Sequence, residues 1–318
     1  MSVFSARLQS AFAAVFMVVV AGTIRPSAAR VAIAPPPARP SADARSSTTT
    51  PAPSPPFLAD STLLWPQDSQ LCTQDLGQAV DRILDAPTFA TAQWGVLVEA
   101  IGDPEFFYER NSLNYFIPAS NVKLLTTAAA LQTVDPYDPK GAASLRAWIS
   151  RVNRDSHNSS ADALFAQIGG FATVQATMAR LGVDPYGFRQ VDGSGLSRYN
   201  MAQPATFVAI LRAMQAAAGG DIFYESLPVA GWSGTLRNRF QNTSAQGRVR
   251  AKTGTLRGVR ALSGYLDHPD YGTVIFSILV NQPNQSGTTM LGAIDQVVLT
   301  LLEVSRCDRP SGYPQSPS

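Results

Sequence analysis

Apolar residues recur along this chain at two spacings, and the change from one to the other marks the elements. Across 75–84, Leu76, Val80, Ile83 and Leu84 fall at helical spacing. Residues 94–99 form a short apolar run that predicts a strand. Gly102-Asp103-Pro104 then reads as a turn, and Phe106-Phe107-Tyr108 as the start of a returning strand. Leu124, Leu125, Ala128 and Leu131 line one face of a helix predicted over 120–133, and further helices are expected at 143–152 and 160–168. Near the other end, 248–266 and 272–281 read as two strands joined by Asp267-His268-Pro269-Asp270, with an apolar helix over 291–304. Strands near both ends with helices between them predict an α+β fold: one antiparallel sheet built from both ends of the chain, with helices packed on it.

The flanks have a different character. Arg7 precedes an apolar run over 11–24, and Ser27-Ala28-Ala29 supplies small residues for cleavage, so 1–29 reads as a secretory signal peptide. The run is short for a membrane span, although an uncleaved anchor is the other reading. No transmembrane segment is expected after cleavage. Residues 30–68 and 308–318 are rich in Pro, Ser and Thr and bury too little apolar surface to offset their ordering entropy; they are expected to be a disordered linker and tail. A catalytic domain over 69–307 remains.

With 45% hydrophobic and 15% charged residues, the chain can bury a sizeable core, and its net charge of +2 leaves no basic footprint for nucleic acid. Export to a periplasmic or other extracytoplasmic space would place Cys72 and Cys307 under oxidising conditions. A bridge between them would close most of the folded chain and stabilise it by roughly 4 kcal/mol or more on the loop-entropy account. Two unpaired thiols are the alternative.

Three short stretches carry chemistry. Ser120 and Lys123 are three apart at the start of a predicted helix, which puts the amine beside the hydroxyl. A serine hydroxyl becomes nucleophilic when a neighbour takes its proton, and a lysine does this once burial or a second cation lowers its pKa. Ser-x-x-Lys also arises by chance on many helices, but Lys123 lies in a stretch otherwise apolar or small. Ser156-His157-Asn158 supplies a hydroxyl to relay protons and an amide to bind a substrate amide, or else merely a helix cap. Lys252-Thr253-Gly254-Thr255 lies in a strand pattern. Its cation and hydroxyls suit a substrate carboxylate, and Gly254 marks a close approach; a strand edge charged against aggregation is the plainer reading.

In this order, these motifs resemble those of penicillin-recognising serine acyltransferases. The words 116–131, 191–200, 233–237 and 247–265 are similar to type-4 class C low-molecular-mass penicillin-binding proteins, which are D-alanyl-D-alanine carboxypeptidases and endopeptidases. The resemblance covers 71–307 and implies Ser120 as acylated nucleophile, Lys123 as its base, and Ser156 and Asn158 as their partners. It implies that Lys252, Thr253, Gly254 and Thr255 bind the terminal carboxylate, with the backbone N–H groups of Ser120 and Thr255 as oxyanion hole. Peptidoglycan stem peptides would be substrates and β-lactams covalent inhibitors, without metal or cofactor. Members of the family carry insertion domains between the first and second motifs; here only 124–155 separates them, so a more open cleft is expected.

Two other functions compete. A β-lactamase-like hydrolase needs an activated water for deacylation, and Glu225 is the only glutamate between the second and third motifs. A catalytically weak wall-peptide-binding relative would fit the missing insertion, against the complete set of chemical groups. His157 and His268 support neither a zinc site nor a Ser-His-Asp triad. Ser194, in Asp192-Gly193-Ser194-Gly195, lacks nucleophile-elbow spacing and reads as a tight turn.

Overall fold

The structure, a computed structural model, describes residues 71–282 and 284–307. The expected signal peptide at 1–29, linker at 30–68 and tail at 308–318 lie outside the described residues.

In chain order the elements are β1 (Leu71–Cys72), α1 (Leu76–Leu84), β2 (Gln93–Ala100), β3 (Asp103–Arg110), α2 (Lys123–Thr133), α3 (Ala142–Asn153), α4 (Asn158–Gln167) and α5 (Gly170–Arg180). They continue as β4 (Phe188–Arg189), β5 (Met201–Ala202), α6 (Pro204–Met214), α7 (Gly220–Glu225), β6 (Val249–Leu256), β7 (Val259–His268), β8 (Gly272–Asn281), α8 (Gly287–Glu303) and β9 (Val304–Ser305). Five strands form one antiparallel sheet in the order β3-β2-β8-β7-β6, so strands from both ends of the domain do assemble one sheet.

The apolar pattern of β8 shows why this sheet is covered on both sides. Val274, Phe276, Ile278 and Val280 belong to a core shared with α1 and α8, while Ile275 and Leu279 belong to a second core shared with α2, α3 and α6. Successive strand residues face opposite sides, so an unbroken apolar strand needs partners on both. Helix α2 is buried around its circumference, from Lys123 through Leu131, its apolar and small residues interrupted only by Lys123, Thr126 and Thr127. Each of its buried leucines contributes about 1.5–3 kcal/mol by leaving water.

The chain ends meet. β1 pairs in parallel with β9, and Cys72 is bonded to Cys307 with Cα atoms 5.5 Å apart, which is the bridged reading of the two cysteines. Among the described residues, no helix is long and apolar enough to cross a membrane.

Several expectations need correction. Residues 248–266 are not one strand but the hairpin β6–β7, closed by Arg257 and Gly258, with Gly258 at φ 69°. The alternation of apolar and polar residues runs through this turn, so only the glycine announced it. The predicted helix at Ser120 opens as a 3-10 turn, Ala119–Val122, before α2 begins. β3 starts at Asp103, leaving Gly102, at φ 82°, to make the turn. Helices α5, α6 and α7 went unpredicted, although Pro204 at the first turn of α6 is a start signal. Helix α8 begins four residues early at Gly287, where Ser286 accepts the N–H of Thr289 at 3.1 Å.

Candidate active site

Four segments meet where the sheet edge, α2 and α4 converge. The first is the 3-10 turn entering α2, in which Ala119 has φ 48°, a conformation that costs a side-chain-bearing residue energy. Ser120 follows, half-buried, and Lys123 is fully buried. The Lys123 Nζ lies 2.9 Å from Ser120 Oγ and 2.9 Å from Asn158 Oδ1, and it also donates to the Ser194 carbonyl. Ser120 Oγ is 3.3 Å from that same carbonyl.

The second segment leads into α4. Ser156 has φ 53°, and His157 caps the helix by accepting the N–H of Ser160 on Nδ1 at 3.2 Å. The capping reading of this motif is therefore right for His157, while the residues on either side turn inward. Asn158 receives Lys123, and Ser156 Oγ accepts from Lys252 Nζ at 2.8 Å.

Strand β6 is the third segment and an edge of the sheet. A Cβ on Gly254 would lie 2.7 Å from Pro118 O and 2.9 Å from Ala261 Cβ, so only glycine lets the strand press against the turn that carries Ser120. Lys252 is fully buried, its Nζ also donating to Thr253 O at 3.0 Å. Thr253 Oγ1 donates to Thr235 Oγ1 at 2.7 Å, and Thr255 is exposed. Further back on the strand, Ala251 N–H donates to Pro228 O and Val249 O accepts from Ala230, on the side away from β7. Backbone groups alternate sides along an antiparallel strand, so the N–H of Thr255 points to that outer side too.

The fourth segment was not anticipated. Residues 192–200 form the tight turn expected at Ser194, but the turn faces its carbonyl onto Lys123. Gly195 at φ 83° packs so closely on Ala119 that a Cβ would lie 2.0 Å from Ala119 O. Asp162 Oδ1 accepts the N–H of Ser194 at 2.8 Å, and Asp192 accepts those of Gly195 and Ser197 at 2.6 and 2.7 Å. Sequence reasoning catalogues side chains, and a backbone carbonyl carries no such signal; the glycines around Ser194 were the available clue. Thr235 was likewise missed as a partner of Thr253.

Burial sets the electrostatics. It lowers the Lys123 pKa to about 8, against the opposing fields of Asp162 and Asp192. Lys252 is pushed well below the ordinary lysine value, first by burial and then by the charge of Lys123. Two ammonium groups in one dry site repel, so the pair loses a proton readily. The tetrahedral geometry of Lys123 then has a direct consequence. Asn158 Oδ1 and Ser194 O can only accept, so a neutral amine gives both its N–H bonds to them. Its lone pair is left for Ser120, the one neighbour able to donate.

Other candidates lie elsewhere. Glu225 is exposed and ion-paired with Arg146, not placed to activate a water at Ser120. His268 is buried, its Nδ1 accepting the N–H groups of Asp270 and Tyr271. Among the described residues, no three His, Cys, Asp or Glu side chains gather as metal ligands.

Comparison with known proteins adds to this geometry. The D-Ala-D-Ala carboxypeptidase 3 (S13) family matches residues 76–138 and 140–301. A D-alanyl-D-alanine carboxypeptidase of Actinomadura sp. (strain R39) is 39% identical over 173 residues, covering 49% of this chain and 32% of that protein. Penicillin-sensitive carboxypeptidase A of Dictyostelium discoideum is 38% identical over 121 residues, 36% of this chain and 23% of that protein. The chain thus matches about a third or less of the length of these relatives. The two matched segments break at Pro139, within the connector between α2 and α3. Among solved structures, the TLA-3 extended-spectrum beta-lactamase superimposes with a TM-score of 0.60 at 17% identity, covering 73% of this chain and 98% of that one. That likeness is one of fold.

Proposed function

This chain belongs to the D-Ala-D-Ala carboxypeptidase 3 (S13) family, and we propose that it is a serine-type D-Ala-D-Ala carboxypeptidase acting on peptidoglycan stem peptides through an acyl-enzyme. The observation that carries this reading is the pair of linked contacts, Lys123 on Ser120 at 2.9 Å and Lys252 on Ser156 at 2.8 Å. They provide a nucleophile with its base and a hydroxyl with its proton source, side by side.

The reaction follows from those positions. The terminal carboxylate of the peptide lies along β6, held by the hydroxyls of Thr253 and Thr255. Lys252 is too buried to grip it directly; its charge acts from behind Ser156. Asn158 Oδ1 is occupied by Lys123, which leaves Nδ2 for the carbonyl of the penultimate residue's acyl side. Ser120 Oγ attacks the scissile carbonyl as its proton passes to Lys123. The N–H groups of Ser120, at the start of its turn, and of Thr255, on the outer side of β6, receive the oxyanion. Ser156 delivers a proton to the leaving amine and is replenished by Lys252. D-alanine departs, leaving an ester on Ser120. Lys123 then gives up the proton it gained to the now neutral Lys252. Water attacks the ester with neutral Lys123 again as base, and the proton taken from water passes to Ser120 Oγ as the ester bond breaks.

The anionic substrate favours the charged form of Lys252 at the moment a proton is needed on that side of the site. A β-lactam presents a carboxylate and a strained amide in the same relation, so covalent inhibition by penicillins belongs to this reading. The disulfide supports an exported, periplasmic or extracytoplasmic setting, since such bonds persist under oxidising conditions.

Labelled penicillin should attach to Ser120 of the protein and not to Ser120→Ala, and the same substitution should abolish D-alanine release from a stem pentapeptide. A protein that forms no adduct while a family control does would overturn the proposal.

A further inference from the structure

Lys123 can serve as base only if its lone pair stays aimed at Ser120, and that depends on its two other neighbours staying in place. Asn158 is fixed by the start of α4. The Ser194 carbonyl sits in a turn, and something must hold it. We propose that Asp192, assisted by Asp162, is a positioning residue for acylation: it fixes the Ser194–Gly195 peptide so that the carbonyl remains on Lys123.

The geometry is specific to this one peptide group. The Gly195 N–H and the Ser194 C=O belong to the same plane and, the peptide being trans, point in opposite directions. Asp192 Oδ1 accepts that N–H at 2.6 Å, and Lys123 donates to that C=O. A carboxylate on one end of an amide also polarises it and strengthens the carbonyl as acceptor at the other. The preceding peptide is held likewise, its N–H on Asp162 at 2.8 Å.

Asp192 is itself braced. Its Oδ2 accepts from Ser197 N at 2.7 Å, and buried Asn200 donates from Nδ2 to Oδ1 at 3.0 Å while accepting the N–H of Val191 at 2.7 Å. Gly195 has no room for a side chain against Ala119, so the clamped peptide also abuts the turn that carries the nucleophile.

The same carboxylates act through space. The charged and titratable groups facing Lys123 are Asp162 and His157 from α4 and its cap, Asp192 from the turn, and Lys252 from β6. Of these only the two aspartates favour its protonated form. Losing either anion lowers the pH at which the base is free.

This inference rests on the serine-acylation reading, and one experiment separates the two. Acylation by a fluorescent penicillin is followed against pH for the full chain, for Asp192→Asn and for Ser120→Ala, with folding monitored by thermal melting. Asp192→Asn should acylate about 10- to 100-fold more slowly at its plateau, the scale of a misplaced reacting group. Its acid limb should also move to lower pH than that of the wild type. A role in folding alone slows the reaction at every pH and leaves the limb in place. An unmoved limb, or acylation at the wild-type rate, overturns the inference. Should Asp192→Asn not fold, Asp162→Asn takes its place under the same criterion. A wild-type protein that forms no adduct removes the reading itself, and the inference with it.

Discussion

The site contains two buried lysines, and the walls around them differ. Lys123 rises from the first turn of α2 into a ring of acceptors, with two carboxylates behind the Ser194 turn. Lys252 projects from an edge strand, donates among the described residues to Ser156 and its neighbour's carbonyl, and has no carboxylate among the groups that shift its pKa. Burial lowers both. The aspartates return part of the proton affinity of Lys123; no carboxylate among the described residues does so for Lys252, and under the proposed function the anionic substrate takes that part. In the proposed mechanism one type of side chain thereby takes two duties, because the duty is written in the surroundings and not in the residue type.

Arginine substitution is the most forceful way to break this distinction, since a guanidinium keeps its charge and cannot give up its proton. Lys123→Arg should slow penicillin acylation by about 10³- to 10⁴-fold, the range for losing a general base. Lys252→Arg keeps the cation behind Ser156 and should lose only about 10- to 100-fold, through imperfect fit in a packed site. Equal losses for the two would show that the lysines share one role. Ser156→Ala tests the link between the two halves: about 100-fold slower turnover of a stem peptide is expected, with noncovalent substrate affinity little changed. Gly254→Ala comes next. Its methyl group must displace backbone at Pro118, so roughly tenfold slower acylation is expected from shifting the nucleophile's turn against β6. A Gly254→Ala protein that acylates as fast as wild type would separate the strand from the turn.

How much of this was legible beforehand differs between the two walls. The Lys252 wall is a linear word on one strand, and its residues act through side chains. Strand period and the glycine placed it, although the hairpin partner β7 was hidden because the same alternation of apolar and polar residues runs on through the turn. The Lys123 wall was half legible. Ser120 and Lys123 are three apart in one helical turn, and that spacing required their contact. The carbonyl of Ser194 and the clamp on it come from residues some 70 positions away, held by backbone hydrogen bonds. No side-chain pattern marks such a contact. In the fold, long apolar elements such as β8 and α8 were visible because burial on one or two faces dictates their composition. Helices α5 and α7 are short or rich in small residues, and tertiary packing decides them where propensity does not.

The smallest effect, and the sharpest on the lysine pair, is on stability. A lysine whose folded pKa is depressed binds its proton more weakly in the native than in the unfolded chain. Between the two pKa values the unfolded chain holds the extra proton, so stability rises with pH by about 1.4 kcal/mol per unit for each such group. For Lys123 that window opens at about pH 8 and closes near the ordinary value of 10.5. It amounts to about 3 kcal/mol across the window. Lys252 is likewise pushed well below the ordinary lysine value, by burial and by the charge of Lys123, so it contributes to a rise of the same sign. Denaturant midpoints measured from pH 7 to 10 should therefore climb with pH, and steepen above about pH 8, where Lys123 adds its share. In Lys123→Met the steepening near pH 8 should vanish; in Lys252→Met it should remain. A Lys123→Met protein that still steepens near pH 8 would place the titration on another group, and the base assigned to Ser120 would have to be sought elsewhere in the site.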